Sequence, residues 1–282
     1  MSHSRELQLH IAQIEEIRSI LNSMKNLALI EIHKLTRFQN MQGQAVANIE
    51  NVALDFLNFY PLTSTEYKVK SICILVGAER GFCGDFNESL INSLVSNSYS
   101  GIIAIGNRLS NKLTDKPFEI MASIAGANVS EEVPTILNHL IDTINSLSTQ
   151  KTDINGSTIT THSLQLTVIY HDLSFGKINH RQLFPPFLRQ QQKSVYGNPP
   201  ILNIEPSIFF SELVDHYLFA ILHEIFYNSF MAENQSRLQH LEGAVKHLDN
   251  EAIDLRRKSQ IYRQEEITEE IEVILLNSET ND

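Results

Sequence analysis

The sequence predicts an α/β domain inserted between two long helices that pair as an antiparallel coiled coil. Three observations predict it. Residues 4–59 and 207–278 carry apolar side chains at steps of three and four, the spacing of one helix face. All eight prolines lie between Pro61 and Pro206, with nine of the eleven glycines. The flanks are therefore unbroken, while the middle is punctuated as a compact domain is. In that middle, β-branched runs alternate with helical stretches, the order of a mainly parallel, doubly wound, Rossmann-like sheet. The expected divisions are residues 1–60 for the N-terminal helix, 66–200 for the α/β domain and 207–278 for the C-terminal helix.

The N-terminal stripe runs through Leu7, Ile14, Leu21, Ala28, Leu35 and on to Phe56 and Phe59. The C-terminal stripe runs from Leu213 and Tyr217 through Leu241, Val245 and Leu255 to Ile267, Ile271 and Ile274. At roughly 1.5 Å per residue the second would make a helix about 100 Å long. Runs beyond about 25 residues point to a coiled coil, a membrane span or a repeat. Charges interrupt this run every few residues, which argues against a span, and no internal repeat is present. A coiled coil needs a partner, and the N-terminal helix supplies it. The heptads are irregular, so imperfect supercoiling is expected.

Between the flanks, Val69–Val76 reads as a buried strand, Phe86–Val95 as a helix, Gly101–Ile105 as a strand, Asn107–Leu113 as a short helix and Phe118–Ile124 as a third strand. Ser130 opens a helix with Glu131 and Glu132 in its first turn and Pro134 close behind, a favoured N-terminal pattern. Residues 149–161 read as a loop and Leu164–Leu173 as a fourth strand. From Ser174 to Ser207 the chain is loop-like, with room for a further edge strand.

Charge bounds the partners. The net charge is −11, and the last eighteen residues hold seven acids and no Lys or Arg. Phosphate binding needs clustered basic residues, so nucleic acid is not expected as a partner. A basic protein partner and a merely solvated acidic face both remain open. No signal peptide and no long apolar run are found, so a cytosolic protein without direct membrane insertion is expected. Cys73 and Cys83 are then expected to be free thiols.

The most motif-like stretch is Gly77 to Asn87, which includes Arg80, Gly81, Phe82, Cys83 and Gly84. It follows a strand and opens a helix, where nucleotide-binding folds place phosphate loops. It lacks both G-K-[ST] and G-x-G-x-x-G, and Asp85 ends it with the wrong charge. A tight turn that uses glycines for positive φ is the reading it favours. Cys83 has no His or Asn partner placed by sequence. His223-Glu224 lacks the second His of a zinc motif, and His240 and His247 stand too far apart to share a metal. No Ser–His–Asp spacing is found. No catalytic residue, cofactor or metal is expected.

Four motifs and the layout resemble the gamma subunit of F-type ATP synthases, the central rotor stalk. The R-Q-x-x-I-T-x-E pattern of that family matches Arg263, Gln264, Ile267, Thr268 and Glu270. Its D-R-G-L-C-G-x-x-N turn matches Arg80, Gly81, Cys83, Gly84 and Asn87, with Glu79 for Asp and Phe82 for Leu. Its N-terminal I-T-x-A-M-x-x-V-A segment matches Ile20, Met24 and Ala28, and a further segment matches Glu233, Arg237 and Ala244. The resemblance covers essentially the whole chain. Leu275-Leu276-Asn277-Ser278 replaces a small, Gly- and Ala-rich extension, and the shaft is more acidic than is usual there. These are departures of a divergent branch.

The resemblance implies a non-catalytic shaft that couples ion flow in the membrane sector to ATP synthesis or hydrolysis by rotation. The implied partners are the alpha and beta subunits of a catalytic hexamer, an epsilon-type subunit and the membrane ring. The implied location is the cytoplasmic face of a bacterial inner membrane, as a peripheral part of the complex. Met24 and Lys25 would face a beta subunit. Arg263, Gln264 and Thr268, with Glu270 of the same motif, would contact the hexamer. The turn Arg80, Gly81, Phe82, Cys83, Gly84 would lie near the ring. Two alternatives remain beside this one, a nucleotide-hydrolysing enzyme built on the α/β domain and a coiled-coil scaffold unrelated to rotation.

Overall fold

The computed structural model describes residues 3–61, 70–94, 99–148, 164–172, 177–187 and 198–279. The elements are α1 (His3–Phe59), β1 (Lys70–Val76), α2 (Phe86–Asn92), β2 (Gly101–Ile105), α3 (Asn107–Leu113), β3 (Ile120–Ile124), α4 (Val133–Ser148), β4 (Leu164–Asp172), β5 (Lys177–Phe184) and α5 (Pro206–Glu279). A 3₁₀ turn, Ser130–Glu132, leads into α4. Both long helices end within a residue of where the apolar stripes predict. The loop expected over 149–161 lies outside the described residues. The chain divides into two compact units. Unit 1 is Met1–Leu29 with Arg237–Asp282, and unit 2 is Ile30–Ser236.

Unit 2 holds a five-stranded sheet in the order β3-β2-β1-β4-β5. The first four strands are parallel and β5 is antiparallel to β4. Only four residues separate β4 from β5, and a parallel return needs a dozen or more. β5 is the edge strand for which residues 174–207 left room. Along β1, Ile72, Ile74 and Val76 face one layer and Cys73 and Leu75 the other, the period-two alternation of a strand covered on both sides. The first layer is α4 with the unit-2 parts of α1 and α5, through Val46, Tyr217, Ile221 and Ile225. The second is α2 and α3, through Leu90, Ile91, Leu109 and Leu113.

Three boundaries move from expectation for local reasons. α2 ends at Asn92 rather than Val95, where the Ser93 and Leu94 amides close a last turn onto the Leu90 and Ile91 carbonyls at 3.2 and 3.1 Å. β3 starts at Ile120 rather than Phe118, because the Phe118 amide closes a tight turn onto the Lys116 carbonyl at 2.8 Å. α4 starts after the 3₁₀ turn rather than at Ser130. There Glu132 reaches back to accept the Asn128 amide at 2.7 Å, and Glu31 of α1 accepts the Ser130 amide at 3.0 Å. Both bonds satisfy donors that a helix start leaves open.

The long helices run antiparallel within each unit. In unit 2, Gln39 donates to the Asn228 side chain at 2.7 Å, Gln42 donates to the Ala220 carbonyl at 3.0 Å, and Phe56 lies 5.0 Å from Phe209 between ring centres. In unit 1, Leu21 packs on Leu241 and Val245, Arg18 pairs with Asp249, Glu15 pairs with Arg256, and His3 lies beside Tyr262. Numbers rise along one helix as they fall along the other. Buried Ile14, Leu21 and Ala28 on α1, and Val245, Ala252 and Ser259 on α5, recur at steps of seven, the seam of a coiled coil. In unit 2 the step from buried Leu35 to Val46 is eleven, which is where the expected irregularity enters. No helix among the described residues is long and apolar enough to cross a membrane.

Candidate coupling surfaces

The turn after β1 is built by close approach. A Cβ on Gly77 would stand 2.6 Å from Leu109 Cβ and 2.8 Å from Asn87 Oδ1, so only glycine fits. Asn87 uses that oxygen to accept the Ala78 amide at 2.9 Å. Gly84 takes a φ of 59°, as a glycine turn requires, and Phe82 takes 64°, a costly conformation for a bulky residue. Phe82 is exposed. Glu79 accepts the Asn107 amide at 2.9 Å, the Asn107 side chain at 2.5 Å and the Gly126 amide at 2.7 Å. A phosphate loop offers such amides to a bound anion. Here the protein's own carboxylate takes them. Arg80 donates to Asn128 at 2.8 Å.

The crevice where a doubly wound sheet holds ligands lies where the strand order reverses, between β1 and β4. It is filled. The Ser229 hydroxyl of α5 donates to the Val76 carbonyl at 3.2 Å, and Ser236 donates to the Cys83 carbonyl at 2.8 Å. His171 at the end of β4 stacks on Phe86, with ring centres 3.9 Å apart. Its Nε2 lies 3.3 Å from Ser89 Oγ but 2.9 Å from the Phe86 carbonyl. A hydrogen on Nε2 donates to that carbonyl, so this nitrogen is no base for Ser89. Burial pushes His171 below the ordinary histidine range. Cys73 and Cys83 are buried, and burial pushes the Cys73 thiol up to about 12, which removes it as a nucleophile. Among the described residues no cluster of His, Cys, Asp and Glu could hold a metal ion.

The predicted shaft residues all lie in unit 1, at two levels. Met24 packs against the Leu21–Leu241–Val245 seam with Ala244 and Leu248, and Lys25 is half-buried. Arg263, Gln264, Thr268 and Glu270 are exposed. The Thr268 hydroxyl donates to the Gln264 carbonyl at 2.9 Å. Fifteen residues of helix, about 20 Å, separate Leu248 from Arg263, so the two groups do not form one site. Because His3 lies beside Tyr262, the last turns of α5 pass the described start of α1. There Ile267, Ile271 and Ile274 are exposed next to a groove lined by Glu265, Glu266, Glu269 and Glu270.

The family model described as ATP synthase matches residues 3–278. The chain belongs to the ATP synthase family. Among its relatives, the ATP synthase gamma chains of Clostridium botulinum strain Langeland and Clostridium beijerinckii are each 22% identical. The first match covers 97% of this chain and 96% of that one, and the second 96% and 95%. The fold is that of the rotor of Euglena gracilis mitochondrial ATP synthase, at a TM-score of 0.62 and 13% identity over 94% of this chain and 98% of that one. The central stalk of Tetrahymena thermophila mitochondrial ATP synthase gives 0.51 and 17% over 80% and 99%.

Sequence reasoning about this ATP synthase family member passed over two features. One is Glu79, noted only as a replacement for Asp, whose partners lie 28 and 47 positions along the chain. The other is Arg181 of β5. It donates to Glu50 of α1 at 2.8 Å and to Glu224 of α5 at 3.3 Å, and the Tyr217 hydroxyl donates to the same Glu50 oxygen at 3.3 Å. Burial raises the Glu224 carboxyl, and the Arg181 charge opposes that rise. A lone Arg in a polar edge strand carries no local signal. Its meaning depends on two acids 131 and 43 positions away.

Proposed function

We propose that this chain is the non-catalytic central shaft of an F-type ATP synthase, coupling ion translocation to ATP synthesis or hydrolysis by rotation. The end-to-end match to gamma chains, covering 97% of this chain, carries the reading. The architecture supports it. Long helices pair antiparallel within each unit, and the crevice that an enzyme of this fold would use is filled by the chain's own side chains. The partners are the alpha and beta subunits of a catalytic hexamer, an epsilon-type subunit and the membrane ring. The chain is peripheral, at the cytoplasmic face of a bacterial inner membrane. Affinity purification of the tagged chain from its own membranes should recover those subunits. A partner set without them, or tight ATP binding by the isolated chain, would overturn the reading.

Met24 and Lys25 face a beta subunit, and Arg263, Gln264, Thr268 and Glu270 engage the hexamer farther along the shaft. The exposure of the second group supports its assignment. For the turn Arg80–Gly84, the neighbours favour the hexamer side over the ring side. Its Cys83 is bonded to Ser236, at the end of unit 2 where the chain passes to Arg237. The opposite end of the unit-2 helices, Phe56 with Phe209, suits the ring. A cysteine at the exposed position, Phe82→Cys, should cross-link to a beta subunit in the assembled complex. Cross-links only to ring subunits would restore the ring-side placement.

A further inference from the structure

We propose that Arg181 is the positioning residue through which the sheet of unit 2 turns its two long helices together. The proposal rests on the rotor reading above. Within unit 2, the helices meet the sheet mainly through apolar side chains such as Tyr217, Ile221 and Ile225. Such burial is non-directional. It holds the layers together without favouring one sense of displacement. Arg181 adds direction. Its pairs with Glu50 and Glu224 join the sheet to both long helices.

The two acids stand on antiparallel helices, and one planar guanidinium holds both. Separate nitrogens of the guanidinium hold the two acids, so moving either helix over the sheet strains a bond to Arg181. A guanidinium fork has fixed donor directions, which a lysine ammonium lacks. Without Arg181, two carboxylates would be left facing each other between α1 and α5, and like charges in a partly buried site repel. The three side chains are 27%, 24% and 20% exposed, so salt screens them less than it screens surface pairs. Arg181 is also fixed in the sheet, opposite Val168 in the β4–β5 ladder. Arg181 therefore ties the sheet to both helices with one side chain.

The test uses the complete complex in vesicles, with ATP hydrolysis and ATP-driven ion pumping measured on the same preparation. Arg181→Met should assemble and hydrolyse ATP, while ions pumped per ATP against a gradient fall by about twofold or more. Arg181→Lys, which keeps the charge but not the fork, should recover part of the ratio. A purely structural role would lower hydrolysis and pumping in proportion and leave the ratio unchanged, which would overturn the proposal. If Arg181→Met does not assemble, Glu50→Gln and Glu224→Gln carry the test, since each leaves Arg181 one charged partner. A wild-type ratio in both overturns the proposal. Failure of the unmutated chain to join alpha, beta and ring subunits would instead sink the rotor reading.

Discussion

His171 shows how a single buried side chain ties stability to pH. Its imidazole is stacked on Phe86 and bonded to the Phe86 carbonyl, and burial lowers its pKa from the ordinary value of 6.5. The folded protein keeps it neutral where the unfolded chain has begun to take a proton. The stability this provides is full above the ordinary histidine value and is lost as the pH falls from there through the lowered value. Glu224 acts in the opposite sense. Burial raises its carboxyl, so its charged form begins to cost stability as the pH rises past the ordinary carboxylate value. Between pH 5 and 7 the His171 contribution to the melting temperature should therefore rise, against an opposite one from Glu224. His171→Gln, which keeps a donor for the Phe86 carbonyl, should flatten that rise. Melting curves at three or four pH values check this, and an unchanged slope would refute it. Residues of this kind were the least legible in the sequence. His171, Glu79 and Arg181 act through partners far along the chain, and no local pattern announces such bonds.

At the level of elements, legibility followed burial. The strands β1 and β2 are covered on both faces, so they read as continuous apolar runs and were placed to within a residue. β5 has the sequence K-I-N-H-R-Q-L-F and buries only Leu183 fully, so composition allowed no more than room for an edge strand. The helix ends were legible because Pro61 and Pro206 stand beside them. What the apolar stripe did not reveal is how unequal the two units are. Buried side chains of the unit-1 seam gather as Leu21, Leu241 and Val245, whereas unit 2 has a broad core on each face of its sheet. Unit 1 should open locally at lower free energy. Leu241 is fully buried, and Leu241→Ala should cost about 2–5 kcal/mol. Hydrogen exchange should show the loss as faster exchange near residues 14–28 and 238–252, with β1 amides unchanged. Equal acceleration in β1 would mean that the units do not open independently.

Across the whole molecule, the sequence carried the fold class and the family because both depend on order: helix, α/β insert, longer helix. For the shaft residues, a motif names positions without their surroundings. Met24 packs, partly buried, beside the seam of its own two helices, while Arg263 and Gln264 stand exposed. Replacing both Arg263 and Gln264 by Ala should therefore leave the isolated chain's melting temperature unchanged within about 0.5 kcal/mol of stability. In the reconstituted complex it should reduce ATP-driven pumping or assembly, and undiminished pumping would remove these residues from the coupling surface. The pairing of the two ends has a consequence for biosynthesis. Arg18 meets Asp249, 231 residues later, so the ribosome delivers the first half of the unit-1 seam long before the second. At about 5–20 residues per second, Ile14 and Leu21 stay uncovered for tens of seconds while unit 2 is completed. The nascent N-terminal segment is thus the stretch a cell must shield from aggregation, and the shaft is the last part of this protein to close.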